Sequence, residues 1–169
     1  MAEIDAAAVQ RIAGVPHMAL NVWINRRLIP GVAPTDPGKA RLFNLATTLH
    51  IATTAALTRL GFGPAFAAMA AAEAQNGHDR PGAKIIVGPP RRNVYGTGST
   101  PTIDFVEAET IEELDAVLDG FVDGRPESYV IVELDRLAAR VRQAFAHEAD
   151  QRARGFVSAL RRGQEDASR

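Results

Sequence analysis

The sequence predicts an α+β protein, with helices at the N terminus, then a small α/β domain, then C-terminal helices. Three observations predict this order. Apolar residues recur at helical spacing as far as about residue 75, Val- and Ile-rich runs typical of strands lie between residues 83 and 134, and helical spacing returns from Leu134. We therefore expect two domains, at 1–75 and 83–163, with the turn-rich segment 76–82 as their boundary.

The composition excludes several kinds of site. The chain of 169 residues contains no cysteine, which excludes disulfides, thiolate metal sites and thiol nucleophiles. Its four histidines lack metal-ligand spacing, and each is predicted to be structural: His17, His50, His78 and His147. The sequence shows no Ser/His/Asp order typical of a catalytic triad. We expect no metal, no cofactor and no enzymatic activity.

Neither a membrane span nor a signal peptide is predicted. No apolar run approaches the ~20 residues that cross a bilayer, and the first residues lack a basic and a long apolar region. We therefore expect a cytoplasmic protein without membrane contact. Charge is unevenly divided, because residues 1–62 carry six Lys/Arg against three Asp/Glu, and residues 63–169 carry thirteen against seventeen. Only the basic N-terminal part is compatible with nucleic-acid contact.

The first helix is predicted within IDAAAVQRIAG, residues 4–14. Asp5 can cap its N terminus, Val9 and Ile12 share one face, and Gly14 can end it. Shortly afterwards Pro16 can open a second helix, because the N–H that proline lacks is not needed there. Two short helices separated by a Gly-containing turn are a candidate helix-turn-helix.

The second helix contains Trp23, the only tryptophan in the chain. Leu20, Trp23 and Ile24 recur at the i, i+3, i+4 spacing of a buried stripe, and Pro30-Gly31 is predicted to end the helix. We therefore expect Trp23 to lie in the core and to hold the second helix on the first. The alternative is an exposed platform on which a ligand stacks.

The segment GVAPTDPGKARLF, residues 31–43, predicts a β-hairpin or wing with its tip at Asp36-Pro37-Gly38. Asn44 can then cap a helix that Gly61 ends, and an Ala-rich helix opens at Pro64. The apolar positions predicted to share one face of the first of these helices are Leu45, Leu49, Ala52, Ala56, Leu57 and Leu60.

Three strands are predicted in the α/β part, at 83–88, 101–106 and 128–134. The polar segment PPRRNVYGTGST, residues 89–100, separates the first two. Gly96 and Gly98 after a strand suggest a phosphate-binding loop, but the spacing of known phosphate motifs is missing. The segment is therefore predicted to be a surface loop; the alternative is a second basic contact through Arg91 and Arg92. Thr110 and Glu113 predict a capping box at the start of a helix.

The C-terminal segment from Leu134 to about Arg162 is predicted to be helical, and Gly155 can interrupt it. Exposed i, i+4 ion pairs are expected for Glu148/Arg152 and Asp150/Arg154. We expect a dimer interface on the apolar stripe that a small domain does not bury by itself, formed by Leu137, Val141 and Phe145. The Ala-rich helix at 64–75 is the alternative interface.

Several short motifs follow one another at fixed spacing in the N-terminal part. They are Gly14-Val15, Trp23, Leu28-Ile29-Pro30, Arg41 with Phe43, and Leu60-Gly61-Phe62. In order and spacing, the first 70 or so residues resemble the winged helix-turn-helix domain of MerR-type transcriptional regulators. The resemblance implies a homodimer that binds double-stranded DNA and regulates transcription, with RNA polymerase as a further candidate partner.

The chain also departs from the family pattern. Pro16 stands where a serine is usual, Asn21-Val22 replaces an Arg-Tyr pair, and Arg27 occupies the position of the helix-ending glycine. The dimerising coiled coil that usually follows the winged domain directly is missing at that place. These departures concern the operator and its geometry rather than the fold.

Eight residues are predicted to contact DNA. The second helix offers His17, Met18, Asn21, Asn25, Arg26 and Arg27, and the wing offers Lys39 and Arg41. Arginine and lysine neutralise phosphates, and an asparagine amide can bond adenine in the major groove. An ordinary solvated polar face is the alternative for the same residues.

We therefore expect a sequence-specific DNA-binding transcriptional regulator that acts as a dimer. One alternative is an architectural DNA-binding factor of the excisionase or phage-packaging type, which uses the same domain without promoter control. The other belongs to a different class, a ligand-binding or protein-interaction module that does not bind DNA.

Overall fold

The computed structural model describes residues 2–33, 40–92, 99–120 and 129–167. It mixes helices with two small antiparallel sheets, which confirms the expected combination of α and β structure. The elements are β1 (Ile4–Asp5), α1 (Ala6–Ala13), α2 (His17–Asn25), β2 (Leu42–Phe43), α3 (Leu45–Arg59), α4 (Pro64–Glu73), a 3-10 helix (Ala74–Gly77), β3 (Ala83–Arg92), β4 (Ser99–Glu107), α5 (Ile111–Asp119), β5 (Val130–Glu133) and α6 (Leu134–Ala167).

Helix α1 begins and ends where the sequence predicts. The Asp5 carboxylate accepts a hydrogen bond from the Ala8 N–H at 2.9 Å, which satisfies one of the free donors of the first turn. Gly14 ends the helix with φ +64°, a left-handed conformation that glycine adopts without strain. Both signals act within a few residues of the helix end, so a single sequence is enough to identify them.

Helix α2 ends earlier than predicted, at Asn25 rather than at Pro30-Gly31. Arg27 takes φ +57°, and the Leu28 N–H donates to the Trp23 carbonyl at 2.9 Å. This is the hydrogen bond of a Schellman motif, which closes the helix with a left-handed residue that is usually glycine. Arg27 therefore takes the left-handed conformation that a glycine usually adopts at the end of a helix.

The predicted hairpin differs from the observed pairing of β2. Strand β2 pairs with β1, with Phe43 opposite Ile4 in antiparallel register. Both side chains are only 1% exposed, so their burial fixes this pairing with the N terminus. The predicted tip at 36–38 lies outside the described residues.

Helix α3 runs through the centre of the helical part. Asn44 caps it through the Thr47 N–H at 2.9 Å, as predicted. The prediction of a single apolar face is wrong, because every residue from 48 to 55 is buried while Leu60 is 50% exposed. The hydroxyls of Thr53 and Thr54 donate to carbonyls one turn earlier, so that these polar groups are satisfied inside the core.

The second sheet has the strand order β4-β3-β5 and is antiparallel throughout. Strands β3 and β4 extend further than predicted, to Arg92 and back to Ser99, so much of the expected loop is strand. A register shift between Gly88 and Pro90 accommodates the prolines, which cannot donate to a ladder. Because β3 leads to a strand and not to a helix, the context of a phosphate-binding loop is missing. Residues 93–98 lie outside the described part.

One hydrophobic cluster contains residues from both predicted domains. Trp23 (5% exposed) and Phe43 share it with Ile85 of the sheet, and the predicted core position of Trp23 is confirmed. The same cluster contains the stripe expected at a dimer interface, formed by Leu137, Val141 and Phe145. That stripe is buried within its own chain, because α6 packs on α1, α3 and β3, so the reason given for its role in dimerisation is wrong.

Helix α6 continues through Gly155 to Ala167 without the predicted interruption. The Asp150–Arg154 ion pair is confirmed at 2.7 Å. The Glu148–Arg152 pair is not formed, because Glu148 instead accepts two hydrogen bonds from Arg11 and Arg152 donates to a backbone carbonyl near the N terminus. The helix thereby holds α1 and the N-terminal strand in place.

Candidate nucleic-acid interface

One side of α2 faces solvent. His17, Met18, Val22 and Asn25 are exposed, and Asn21 between them is half-buried. Positions 21 and 22 lie three or four residues from 18 and from 25, and position 17 lies four residues before 21, which places all five on one face of a helix. The predicted exposure is thus confirmed for His17, Met18 and Asn25, whereas Asn21 is less exposed than predicted. Val22, which is 41% exposed, also lies on this face and was missed by sequence reasoning.

The opposite side of α2 fixes the helix in the core. Leu20, Trp23 and Ile24 are at most 5% exposed. A helix held by three large side chains presents its outer face rigidly, which is what a recognition surface requires.

A chain of hydrogen bonds orders the exposed face. The Asn21 amide nitrogen lies 2.8 Å from Nε2 of His17, and the Gln10 amide nitrogen lies 3.0 Å from Nδ1 of the same ring. A neutral imidazole offers one donor and one acceptor, so it accepts from one of these amide nitrogens and donates to the oxygen of the other amide once that side chain is flipped. The chain links α1 to α2 and limits the rotation of Asn21. The i, i+4 spacing of His17 and Asn21 is the signal that predicts their contact.

Two arginines follow the end of α2. Arg26 and Arg27 are both exposed, and Arg27 is the residue in the left-handed conformation. Leu28, next in the chain, donates and accepts at this point: its N–H closes α2, and its carbonyl lies 3.1 Å from Nε2 of His50 in α3. Helix α3 therefore sets the position of the two cations.

The structure describes only one of the two cationic residues predicted on the wing. Lys39 lies outside the described residues. Arg41 is half-buried and its Nε atom is buried, whereas a freely exposed side chain was expected. The described part of the structure thus places six of the eight predicted residues on α2 or directly after it, whereas Arg41 directly precedes β2.

Two histidines, His50 and His78, are buried in the core. The Thr53 hydroxyl donates to the Leu49 carbonyl, so Nε2 of His78, at 3.0 Å from that hydroxyl, is the donor to it. Burial lowers the pKa of both His50 and His78. Nearby carbonyls act in the opposite direction on both pKa values, and Arg142 lowers that of His78 further. Both rings are therefore neutral at pH 7, as structural histidines are.

The described residues contain no group of three His, Cys, Asp or Glu side chains placed to hold a metal ion. Of the helices in that part of the chain, none combines the length and the apolar character needed to cross a membrane.

No family model matches the chain, and no curated protein is significantly similar to it. The function of this chain is therefore inferred from the geometry of α2 and its surroundings.

Proposed function

We propose that this protein is a sequence-specific DNA-binding transcriptional regulator, with a winged helix-turn-helix formed by α1, α2 and the segment up to β2. The observation that carries the proposal is the outer face of α2. It combines amide, imidazole and apolar side chains on a helix whose inner face is fixed by Trp23.

The chemistry of this face matches the major groove of DNA. The groove admits an α-helix, and an asparagine amide can bond the N7 and N6 atoms of adenine together. If the Asn21 amide donates one N–H to His17, its second N–H and its carbonyl remain for a base. Met18, which is 73% exposed, and Val22 offer apolar contacts to thymine methyl groups.

The cations around this face supply the sequence-independent part of binding. Arg26 and Arg27 stand exposed at the end of α2, where they can neutralise phosphates beside the groove. Lys39 and Arg41 are assigned the same role on the flanking wing. Phosphate contacts of this kind position a protein on DNA, while the side chains of α2 select the sequence.

The regulator acts as a homodimer in this proposal, and the C-terminal half of α6 is the interface. Residues 151–158 are all exposed, including Phe156 at 65% and Val157 at 48%. Two large apolar side chains side by side on a fully exposed stretch of helix are typical of a surface that a second helix covers. A dimer places two α2 helices on half-sites about one helical turn apart.

The experiment that tests this function is selection of bound sequences from random duplexes, followed by mapping of bound sites in the cell. For a regulator we expect one motif that consists of two half-sites and lies in promoters. At a promoter the protein can also contact RNA polymerase. Sites confined to attachment or packaging sequences would instead indicate an architectural factor. Absence of binding to any duplex would overturn the proposal and favour a ligand-binding or protein-interaction module.

A further inference from the structure

A cleft of about 810 Å³ is lined by no residue of the elements assigned to DNA binding, which are α1, α2 and the segment up to β2. The end of α3, the start of α5, strand β5 and the first turns of α6 surround it. Its volume falls within the roughly 300–1,000 Å³ of small-molecule sites. No function has yet been given to these residues.

The cleft is electropositive. Four cationic residues line it, Arg59, Lys84, Arg136 and Arg140, against two carboxylates, Glu109 and Glu133. Both carboxylates also line a smaller adjoining cavity of about 300 Å³ next to Gly82, whereas Arg59 and Arg140 line the large cleft alone. The positive charge is therefore concentrated at the end where α3 faces α6.

The cations of the cleft differ in how far they are already neutralised. Arg136 is paired with Glu133 at 2.9 Å. Among the residues that the structure describes, Arg59 donates only to the Ala13 carbonyl at 2.9 Å, and a carbonyl does not neutralise its charge as a carboxylate would. Arg140 is exposed and has neither a hydrogen bond nor an ion pair with any residue in the described part of the chain. Arg140 is thus available to an anion from solution.

The cleft also has an apolar side. Leu60, at the end of α3, is 50% exposed, and Ile111, at the start of α5, is 74% exposed. Both line the cleft, with the buried side chains of Leu114 and Leu137 beside them. Exposed large apolar residues that gather at a cleft mark a binding site more often than those scattered singly.

We propose that this cleft binds a small amphipathic anion, a molecule with one carboxylate or equivalent acidic group and an apolar body. The acidic group lies against Arg140, with Arg59 close by. The apolar body covers Leu60 and Ile111. This site is independent of DNA binding, and its test uses the protein without DNA.

The experiment is calorimetric titration of the full chain with decanoate below its micelle concentration, and in parallel with anilinonaphthalene sulfonate. Decanol and decyltrimethylammonium have the same chain length without the negative charge and serve as matched ligands. We expect saturable binding of one anion per chain, with decanol binding about tenfold more weakly and the cation not at all.

Two exposed substitutions locate the site without a risk to folding. Arg140→Gln should weaken decanoate about tenfold and leave decanol unchanged, and Ile111→Ser should weaken both ligands. Arg80→Gln and Met69→Ser on α4 are the controls, since both residues are exposed and lie outside the cleft. Equal binding of decanoate and decanol, an unchanged affinity in Arg140→Gln, or no saturable binding of either anion would overturn the proposal.

Discussion

The amide nitrogen of Asn21 lies 2.8 Å from Nε2 of His17, one turn earlier on the exposed face of α2. The histidine is held in turn by Gln10 of α1. An asparagine restrained in this way loses less conformational freedom when it meets a base than one that rotates freely, and restraint of this kind increases affinity.

Replacement of Asn21 by alanine should weaken binding to the selected DNA sequence by ~1–3 kcal/mol, because a bidentate contact to adenine is lost. Binding to a scrambled duplex should hardly change, since that affinity comes from the cations. The measurement is a titration of both duplexes at one fixed salt concentration. Equal loss of affinity on both duplexes would indicate that Asn21 contacts the DNA backbone. No loss on either duplex would indicate a solvated side chain that does not contact DNA.

His17→Ala provides the companion experiment for Asn21. If His17 positions the amide, the two substitutions should not be additive, because His17→Ala loosens Asn21 and Asn21→Ala removes what His17 holds. A double-mutant cycle on the selected duplex measures this coupling. Full additivity would mean that the two side chains act separately.

Trp23→Ala should destabilise the protein by ~3–5 kcal/mol, because it leaves a large cavity between α1 and α2. Trp23→Phe should cost much less, since an aromatic ring still fills most of the space. Urea unfolding followed by circular dichroism gives both values. A Trp23→Ala variant of unchanged stability that had lost only a ligand would identify the residue as a stacking platform.

Arg27→Gly should stabilise the protein by about 0.5–1 kcal/mol, because glycine adopts the left-handed conformation without the cost that arginine pays. The same substitution should lower the slope of log K against log salt for DNA binding by about 1, since one phosphate contact is lost. Arg27→Ala separates the two effects: it should reduce the salt slope equally without stabilising the fold. A Gly variant no more stable than the Ala variant would contradict the assigned strain.

Stability should fall as the pH decreases below about 6.5, the ordinary pKa of histidine in an unfolded chain. His50 and His78 have lowered pKa values in the folded protein, so the unfolded state binds more protons in this range and is favoured by acid. Each can contribute up to about 1.4 kcal/mol per pH unit. Urea midpoints between pH 7.5 and 5.0 check the trend.

His78→Gln is the variant that tests the source of this pH dependence. Glutamine can still donate to Thr53 but does not titrate, so the slope of stability against pH should be smaller than in the natural protein. His147→Gln, at an exposed position on α6, is the control. An identical slope in all three proteins would assign the pH dependence to other groups.

The double variant Phe156→Ser with Val157→Ser should be monomeric and should retain its fold, because both side chains are exposed in the single chain. Its affinity for a two-part DNA site should fall far more than its affinity for one half-site, since the two α2 helices are no longer held together. Light scattering after size-exclusion chromatography gives the oligomeric state. Met69→Ser, exposed on α4, is the matched control, and it is the variant that becomes monomeric if the Ala-rich helix is the interface.

Local signals in the sequence determined the starts of the helices and one face of α2. Asp5, Asn44 and Thr110 each cap a helix through an N–H three residues ahead. Such contacts depend only on neighbours in the chain, so they can be predicted without knowledge of the fold. The exposed face of α2 follows in the same way from helical spacing, as does the contact of His17 with Asn21.

Only the tertiary structure decided where α2 ends, what covers α6 and where Arg41 lies. The Leu28 carbonyl after α2 lies within hydrogen-bond distance of His50, 22 residues away, and Glu148 binds Arg11, 137 residues away. The stripe of Leu137, Val141 and Phe145 is buried because the N-terminal helices lie against it, which its own spacing does not reveal. A pattern along the chain shows that a side chain needs a partner, but which distant segment supplies it depends on packing and on the closure of long loops.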